Sequence, residues 1–276
     1  EATVDGLVAR GELHPETGQI FRRQDGAPYR LYRHQVEAVR LVLAGKSCIV
    51  TSGTGSGKTL CYFLPIVDMV VRYPELPRPV ALVVYPMNAL VNSQLQYLKQ
   101  LEDGYFRSTG RPFPVRVARY TGETPEEERE QIRRDPPHIL LTNYMMAELM
   151  LVRPEDRSLV QPRRDDAPFF LVFDELHTYR GRQGADVAML VRRLKARMEL
   201  GRVVYVGTSA TLVGHPGAGP EERRHAVAEF ASRFFGTHIP PEQVVEETLE
   251  PATVGGPPTP EELRTSLSAS LPDDLE

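Results

Sequence analysis

The run Cys48-Ile-Val-Thr51 opens into Ser52-Gly-Thr-Gly-Ser-Gly-Lys-Thr59, and a helical pattern follows from Leu60 to Arg72. A strand that turns through closely spaced glycines into a helix beginning at Gly-Lys-Thr has few folds open to it. It is the strand–loop–helix frame of a phosphate-binding P-loop, G-x-x-x-x-G-K-[ST]. Backbone N–H groups of Gly53, Thr54, Gly55, Ser56, Gly57, Lys58 and Thr59 are placed to cradle phosphates at the helix N-terminus. Lys58 would reach the β- and γ-phosphates, and the Thr59 hydroxyl would ligate Mg²⁺. The loop departs from the pattern once, because Ser52 holds the place of the first glycine.

The flanking text agrees with that frame. Apolar β-rich runs fall at 47–51, 80–85, 115–120, 138–142, 169–173 and 203–207, with helical patterns at 60–72, 89–101, 125–134, 144–151 and 185–200. Strands alternating with helices predict a mostly parallel α/β sheet of about six or seven strands, covered by helices on both faces. In Thr124-Pro-Glu-Glu-Glu128, Thr124 is expected as N-cap and Pro125 as the first helical residue, with the glutamates at the positive end of the helix dipole. After Gly214 a Gly/Pro loop leads to a helix at 221–235 closed by Gly236, and a further strand is expected at 244–248. Residues 255–260 read as a linker, with Thr259-Pro260 capping a last short helix. Residues 1–28 carry scattered Gly, Pro and charges and give no clear pattern.

Composition narrows the setting. A formal charge of −4 excludes a globally basic nucleic-acid coat but leaves a local track open. The sequence holds no apolar run long enough for a transmembrane helix and no secretory signal, so no membrane partner is expected. Cys48 and Cys61 are the only cysteines and lack metal-ligand spacing, which predicts reduced buried thiols and a cytoplasmic location. The chain opens on Glu1 rather than Met, as a segment cut from a longer protein would.

A P-loop requires an acid at the end of another strand, and Phe169-Phe-Leu-Val-Phe-Asp174-Glu175 supplies two. Asp174 is the candidate for holding Mg²⁺ through its water shell, and Glu175 for polarising the attacking water. Adjacent carboxylates after a strand are also common in solvated loops, so the P-loop is what favours catalysis here.

The tetrad Asp174-Glu-Leu-His177, with Ser209-Ala210-Thr211 after the next strand, resembles the superfamily 2 DExH-box helicases. Their first motif, [A/S/G]-x-T-G-x-G-K-T, is matched position by position by Ser52 to Thr59, so Ser52 is an accepted variant. The likeness runs over about residues 28–213, in family order. It implies a RecA-like domain that uses ATP and Mg²⁺, with Lys58, Asp174, Glu175 and His177 as catalytic residues. It also implies that His177 couples the nucleotide site to Ser209, Ala210 and Thr211. Tyr32-Arg-His-Gln35 resembles the adenine-recognition segment, where a Gln amide can pair bidentately with adenine.

Tyr85-Pro-Met-Asn-Ala-Leu-Val-Asn-Ser-Gln94 occupies the place of motif Ia, and Thr121-Gly122 and Thr142-Asn143 the places of later strand-contacting motifs. Neither takes the DEAD-box wording PTRELA or TPGR, which favours the DExH side. Pro86, Asn88, Thr121, Gly122, Thr142 and Asn143 are therefore candidate nucleic-acid contacts, with Asn92 beside them. Hydroxyls, amides and helix N-termini hold phosphates without reading sequence, although Thr142 and Asn143 could equally cap a helix. Arg180 and Arg182 could contact a phosphate, a partner domain or only solvent.

The longer signature from Asp174 to Asp186 resembles the large bacterial MrfA/YprA-like DNA helicases, which carry a C-terminal zinc-binding domain. Some of that group serve in DNA repair or phage defence. The resemblance implies single-stranded DNA as track, 3′→5′ movement, and a second RecA-like domain bearing arginine fingers. Nothing after Thr211 resembles such a domain. The expected organisation is thus an N-terminal extension (1–28), the first motor domain (29–214), a helix and strand packing on it (215–250), and a tail toward the second domain (251–276). Two rival readings stay open: an RNA helicase, and a non-motor module in which ATP switches a nucleic-acid-bound complex.

Overall fold

The computed structural model describes residues 2–53, 55–163, 167–210 and 219–247. The expectations placed on Thr54, Thr211, Thr248, the linker and the last short helix lie outside the described residues. In chain order the elements begin with β1 (Ala2–Thr3), α1 (Val4–Ala9), α2 (Pro15–Ile20), β2 (Arg30–Leu31), α3 (Arg33–Leu43), β3 (Cys48–Thr51) and α4 (Leu60–Arg72). They continue through β4 (Ala81–Tyr85), α5 (Asn88–Thr109), β5 (Val117–Tyr120), α6 (Glu126–Arg134), β6 (Ile139–Asn143) and α7 (Tyr144–Val152). The last are β7 (Phe169–Phe173), α8 (Gly181–Arg197), β8 (Val203–Ser209), α9 (Pro220–Phe235) and β9 (Val244–Glu246).

Seven strands form one sheet in the order β5-β6-β4-β7-β8-β3-β9, and every pairing in it is parallel. Successive strand residues point to opposite faces, so each strand feeds two cores. Phe170 and Val172 of β7 join Val50, Val83 and Leu141 under the layer formed by α1 to α5. Phe169, Leu171 and Phe173 join Ile49, Val84 and Leu140 under α6 to α9. Strands buried on both faces are why the sequence shows near-continuous apolar runs rather than alternation. Parallel strands share one direction, and the loops after β3, β4, β6, β7 and β8 therefore gather at one edge of the sheet.

Three sequence expectations need correction here. Thr124 does not cap α6: its Oγ1 accepts from Thr121 N (3.0 Å) and donates to Arg119 O, and Pro125 is the N-cap. A buried hydroxyl bound backwards into the preceding turn cannot also serve the helix ahead. Residues 2–31 are not patternless, since α1 and α2 pack into the core beneath α4 and α5 through Val4, Leu7 and Ile20. They are anchored by Asp68 of α4, a fully buried carboxylate that accepts from His14 N (2.6 Å), Thr17 Oγ1 (2.8 Å) and Arg72 Nε (2.6 Å). The third is α3, which sequence reading left unassigned.

His138, just before β6, gives a pH signature. Its Nδ1 accepts from Arg116 N (2.9 Å), which requires an uncharged nitrogen there. Burial, then the Arg78 and Arg116 charges, lower its pKa to about 4. A depressed histidine contributes stability that is full above the ordinary imidazole range and is lost as pH falls through the folded value. Unfolding free energy should therefore drop between pH 6.5 and 4 by about 1–2 kcal/mol from this residue, discounted because the neighbouring arginines face solvent. Urea titrations of the wild type and His138→Gln at both ends of that range check this, and an identical pH slope in the two would refute it.

Candidate functional site

The loop after β3 is built from its own polar groups. Ser52 N donates to Ser209 O (3.1 Å), and the Ser52 and Ser56 hydroxyls meet across the loop at 2.6 Å. The residue in place of the first glycine thus closes the loop on itself. Lys58 Nζ folds inward and donates to Ser52 O and Gly53 O, both at 3.1 Å, and its side chain is nearly buried. Gly57 adopts φ +73°, and a Cβ there would stand 2.5 Å from Gln35 Nε2, so only glycine fits.

Gln35 sits under this loop, 2% exposed. Its Nε2 donates to Ser56 O (3.1 Å) and Gly57 O (3.0 Å), while its Oε1 accepts from Tyr32 N (2.9 Å). Both ends of the Gln35 amide are engaged with the protein, so recognition of adenine by this residue would require an exchange of these partners. Gly53 N donates to Glu247 Oε2 at 2.9 Å, a contact from beyond β9 that the sequence did not suggest.

β7 delivers Asp174 and Glu175 to the same edge, two strands from β3. Asp174 is buried, and Thr208 Oγ1 donates to its Oδ1. Burial raises the Asp174 pKa to about 6, against the Thr208 hydrogen bond and with the Glu175 charge adding to the rise. Glu175 takes a left-handed backbone conformation, φ +54°, which is uncommon for a residue with a side chain and recurs at functional sites. Its N–H donates to Thr208 Oγ1 (3.2 Å), so one buried hydroxyl positions both acids. His177 Nδ1 lies 3.3 Å from Glu175 Oε2 and 3.3 Å from Ser209 Oγ. One imidazole nitrogen thus lies within reach of both the second acid and Ser209, the hydroxyl or the carboxylate taking it according to the tautomer. Ala210 follows at the end of β8 and is half-buried.

Among the described residues no three His, Cys, Asp or Glu side chains cluster as a cage for a metal. The residues expected to hold one, Thr59 and Asp174, offer a hydroxyl and a carboxylate, oxygen donors only. That suits a hard divalent cation which keeps several waters and completes its shell with phosphate oxygens.

The strand-contacting candidates divide. Thr121 and Thr142 are fully buried, Thr142 Oγ1 donating to Tyr120 O (2.7 Å) and Thr121 Oγ1 accepting from Glu123 N (3.3 Å). Their side chains are therefore structural, a correction that follows from their inward register at the ends of β5 and β6. Asn143 caps α7 by accepting from Met146 N (2.8 Å), and its Nδ2 donates to Asn88 Oδ1 (2.6 Å). Gly122 is exposed and Pro86 half-buried between β4 and α5. Arg180 and Arg182 are exposed at the start of α8. Thr208 is the functional residue sequence reading missed; its signal was its place one residue before Ser209 at the end of an apolar strand.

A parallel sheet that gathers a Gly-Lys-Thr loop and a buried acid at one edge defines a P-loop nucleotide-binding domain. The chain belongs to the DEAD/DEAH box helicase family, which matches residues 32–216. Among curated relatives, the uncharacterized ATP-dependent helicase YprA of Bacillus subtilis is 33% identical over 66% of this chain and 23% of its own length. The Druantia protein DruE of Escherichia coli is 27% identical over 68% of this chain and 16% of its own length. The chain thus spans less than a quarter of either relative. A crystal structure of the DUF1998 helicase MrfA bound to DNA superposes with a TM-score of 0.66 at 27% identity, over 85% of this chain and 28% of MrfA.

Proposed function

We infer that this chain is the first motor domain of an ATP-dependent DNA helicase or translocase. It binds ATP with Mg²⁺ and couples hydrolysis to movement on single-stranded DNA. The observation that carries the reading is the link from the acids through His177 to Ser209, which sits beside a complete Gly-Lys-Thr loop. A domain that only stored nucleotide would need no imidazole placed between the acid and the neighbouring strand. In this reading the motor domain spans residues 29–214, and the described helix and strand at 219–247 pack on it.

In this reading Lys58 and the loop N–H groups hold the β- and γ-phosphates, and Thr59 and Asp174 hold Mg²⁺. The cation supplies charge neutralisation at the phosphates. Glu175 would polarise the attacking water, its carboxylate oriented by the left-handed backbone at that residue and by His177, whose Nδ1 lies 3.3 Å from Oε2. Gln35 pairs with adenine by exchanging its carbonyl partners in the loop, so that base occupancy loosens the Ser56–Gly57 turn. DNA rather than RNA is favoured by the likeness to MrfA in its DNA-bound form.

Competition between single-stranded DNA and RNA of one sequence, with and without a non-hydrolysable ATP analogue and Mg²⁺, tests this. Nucleotide-dependent preference for DNA is expected, and no strand binding in any nucleotide state would refute it. The chain alone should turn ATP over very slowly, because an arginine finger from a second domain is worth about 10³–10⁵ in rate. Phosphate release strongly stimulated by DNA from residues 1–276 alone would contradict that.

A further inference from the structure

At the edge of the sheet that carries the nucleotide loop, but on the far side of β7 and β8 from it, five side chains form one continuous polar chain. Arg119 Nη1 donates to Asn92 Oδ1 (2.6 Å), and Asn92 Nδ2 donates to Glu123 Oε2 (3.2 Å). Asn88 Nδ2 donates to the other carboxylate oxygen, Glu123 Oε1 (3.0 Å), and Asn143 Nδ2 donates to Asn88 Oδ1 (2.6 Å). Asn143 and Arg119 thus fix the orientation of the two amides, so that both Nδ2 groups face a single point. That point lies at the first turns of α5, where the helix dipole is positive. The arrangement is a preformed slot for one anion, and Glu123 fills it.

Glu123 itself is exposed, so nothing in the packing forces its carboxylate into this position. The two amides, ahead of the more distant Arg119 charge, hold its pKa below the ordinary carboxylate range. The residues supplying the donors are Asn88 and Asn92 of the motif expected to contact a strand, and Glu123 follows Thr121-Gly122 of the next such motif. A phosphodiester presents the same two-oxygen, singly charged face to these donors as a carboxylate does.

We propose that Glu123 is an internal stand-in for a strand phosphate: it occupies the Asn88–Asn92 amide pair in the unloaded protein and is displaced when the backbone of single-stranded DNA enters. The inference rests on the reading of this chain as a strand-binding motor domain and adds the residue that sets its affinity. The occupant is a backbone phosphodiester because the slot offers only N–H donors and positive charge, with no surface shaped to a base edge. Binding of the strand then costs the Glu123 contacts, which keeps affinity low until other contacts form.

The test is strand affinity by fluorescence anisotropy with a labelled oligothymidylate, Mg²⁺ and a non-hydrolysable ATP analogue present throughout. Glu123→Ala should tighten binding by about 3–30-fold at low salt, and Glu123→Gln by less, since its amide oxygen still accepts one bond. Asn88→Ala combined with Asn92→Ala removes the two donors that the strand would take over from Glu123. In the Glu123→Ala background the same pair should abolish most of the gain, which general charge removal would not do. Glu127→Ala removes an equal charge from an exposed site on α6 and should shift affinity by less than about 2-fold.

A Glu123→Ala affinity equal to or weaker than wild type overturns the proposal, as does an equal gain from Glu127→Ala or a gain that survives loss of both asparagines. If the wild type binds the strand and these variants behave so, only this inference falls. If neither the wild type nor any variant binds a strand, the motor reading falls and takes this inference with it.

Discussion

Lys58→Ala should abolish ATP binding, weakening it by at least about 100-fold, which corresponds to roughly 2.7 kcal/mol. Lys58 is the cation inside the loop, and its Nζ is shared between Ser52 O and Gly53 O. Those two carbonyls point inward, so the ammonium holds the curvature of the loop as well as its charge. Removing it leaves inward-facing carbonyls without a donor and a phosphate site without its point charge. Lys58→Arg should not rescue binding, because the planar guanidinium is larger and cannot fill a space closed by the Ser52–Ser56 hydroxyl pair. Titration with a fluorescent ATP analogue measures this, with a urea midpoint to confirm that the variants fold. An affinity within threefold of wild type for Lys58→Ala would contradict the assignment of this loop as the phosphate site.

Where burial dominates, the elements were legible before the structure. β7 and α4 have the bounds expected from sequence, because each is an apolar run ended sharply by Asp174 or by Arg72 and Tyr73. Elements with mixed faces were harder to read. α3 interleaves Arg33, His34, Gln35, Glu37 and Arg40 with its apolar residues, and two of that polar set, His34 and Gln35, are buried by contacts that sequence does not show. α5 runs eight residues past Leu101, through Glu102-Asp103-Gly104, because Tyr105 is pinned in the core beneath α2. Glycine misled at α8, which begins at Gly181 rather than near Ala185. A Cβ on Gly184 would stand 2.5 Å from Tyr179 O, so that glycine lets the helix start against the acidic loop instead of marking a loop.

The site divides in the same way. Lys58, Asp174, Glu175 and His177 are fixed by chain position, since each follows or precedes an apolar strand by a set count. Thr208, Glu123 and Glu247 act through register and rotamer: Thr208 reaches Asp174 because β7 and β8 pair Phe173 with Gly207. A one-residue slip would turn the Thr208 hydroxyl to the other face. Gln35 shows the limit from the other side. Sequence position singles it out as a candidate, but its partners here are loop carbonyls that no spacing rule anticipates.

Phe234→Ala should destabilise the protein by about 3–5 kcal/mol and also weaken Mg·ATP binding, although α9 touches neither phosphate loop nor acid. Phe173, the residue before Asp174, packs edge-on against Phe234 at 5.2 Å between ring centres and against Tyr179 at 5.9 Å. Tyr179 closes the acidic loop on its far side and also meets Phe234, at 5.9 Å. The loop from Asp174 to Thr178 is therefore held at both ends by rings that share one partner on α9. Truncating that partner opens a cavity between β7 and α9, and the close packing around it can only partly collapse. The left-handed Glu175 is the first place such slack should appear, because its conformation persists only while the surroundings impose it. Phe230→Ala is the control: Phe230 stacks on Phe234 at 6.0 Å but is only half-buried. It should cost less stability and leave nucleotide affinity unchanged. Urea denaturation and nucleotide titration on the same two variants separate the effects. If Phe234→Ala loses stability yet binds Mg·ATP as the wild type does, α9 supports the fold without holding the catalytic loop.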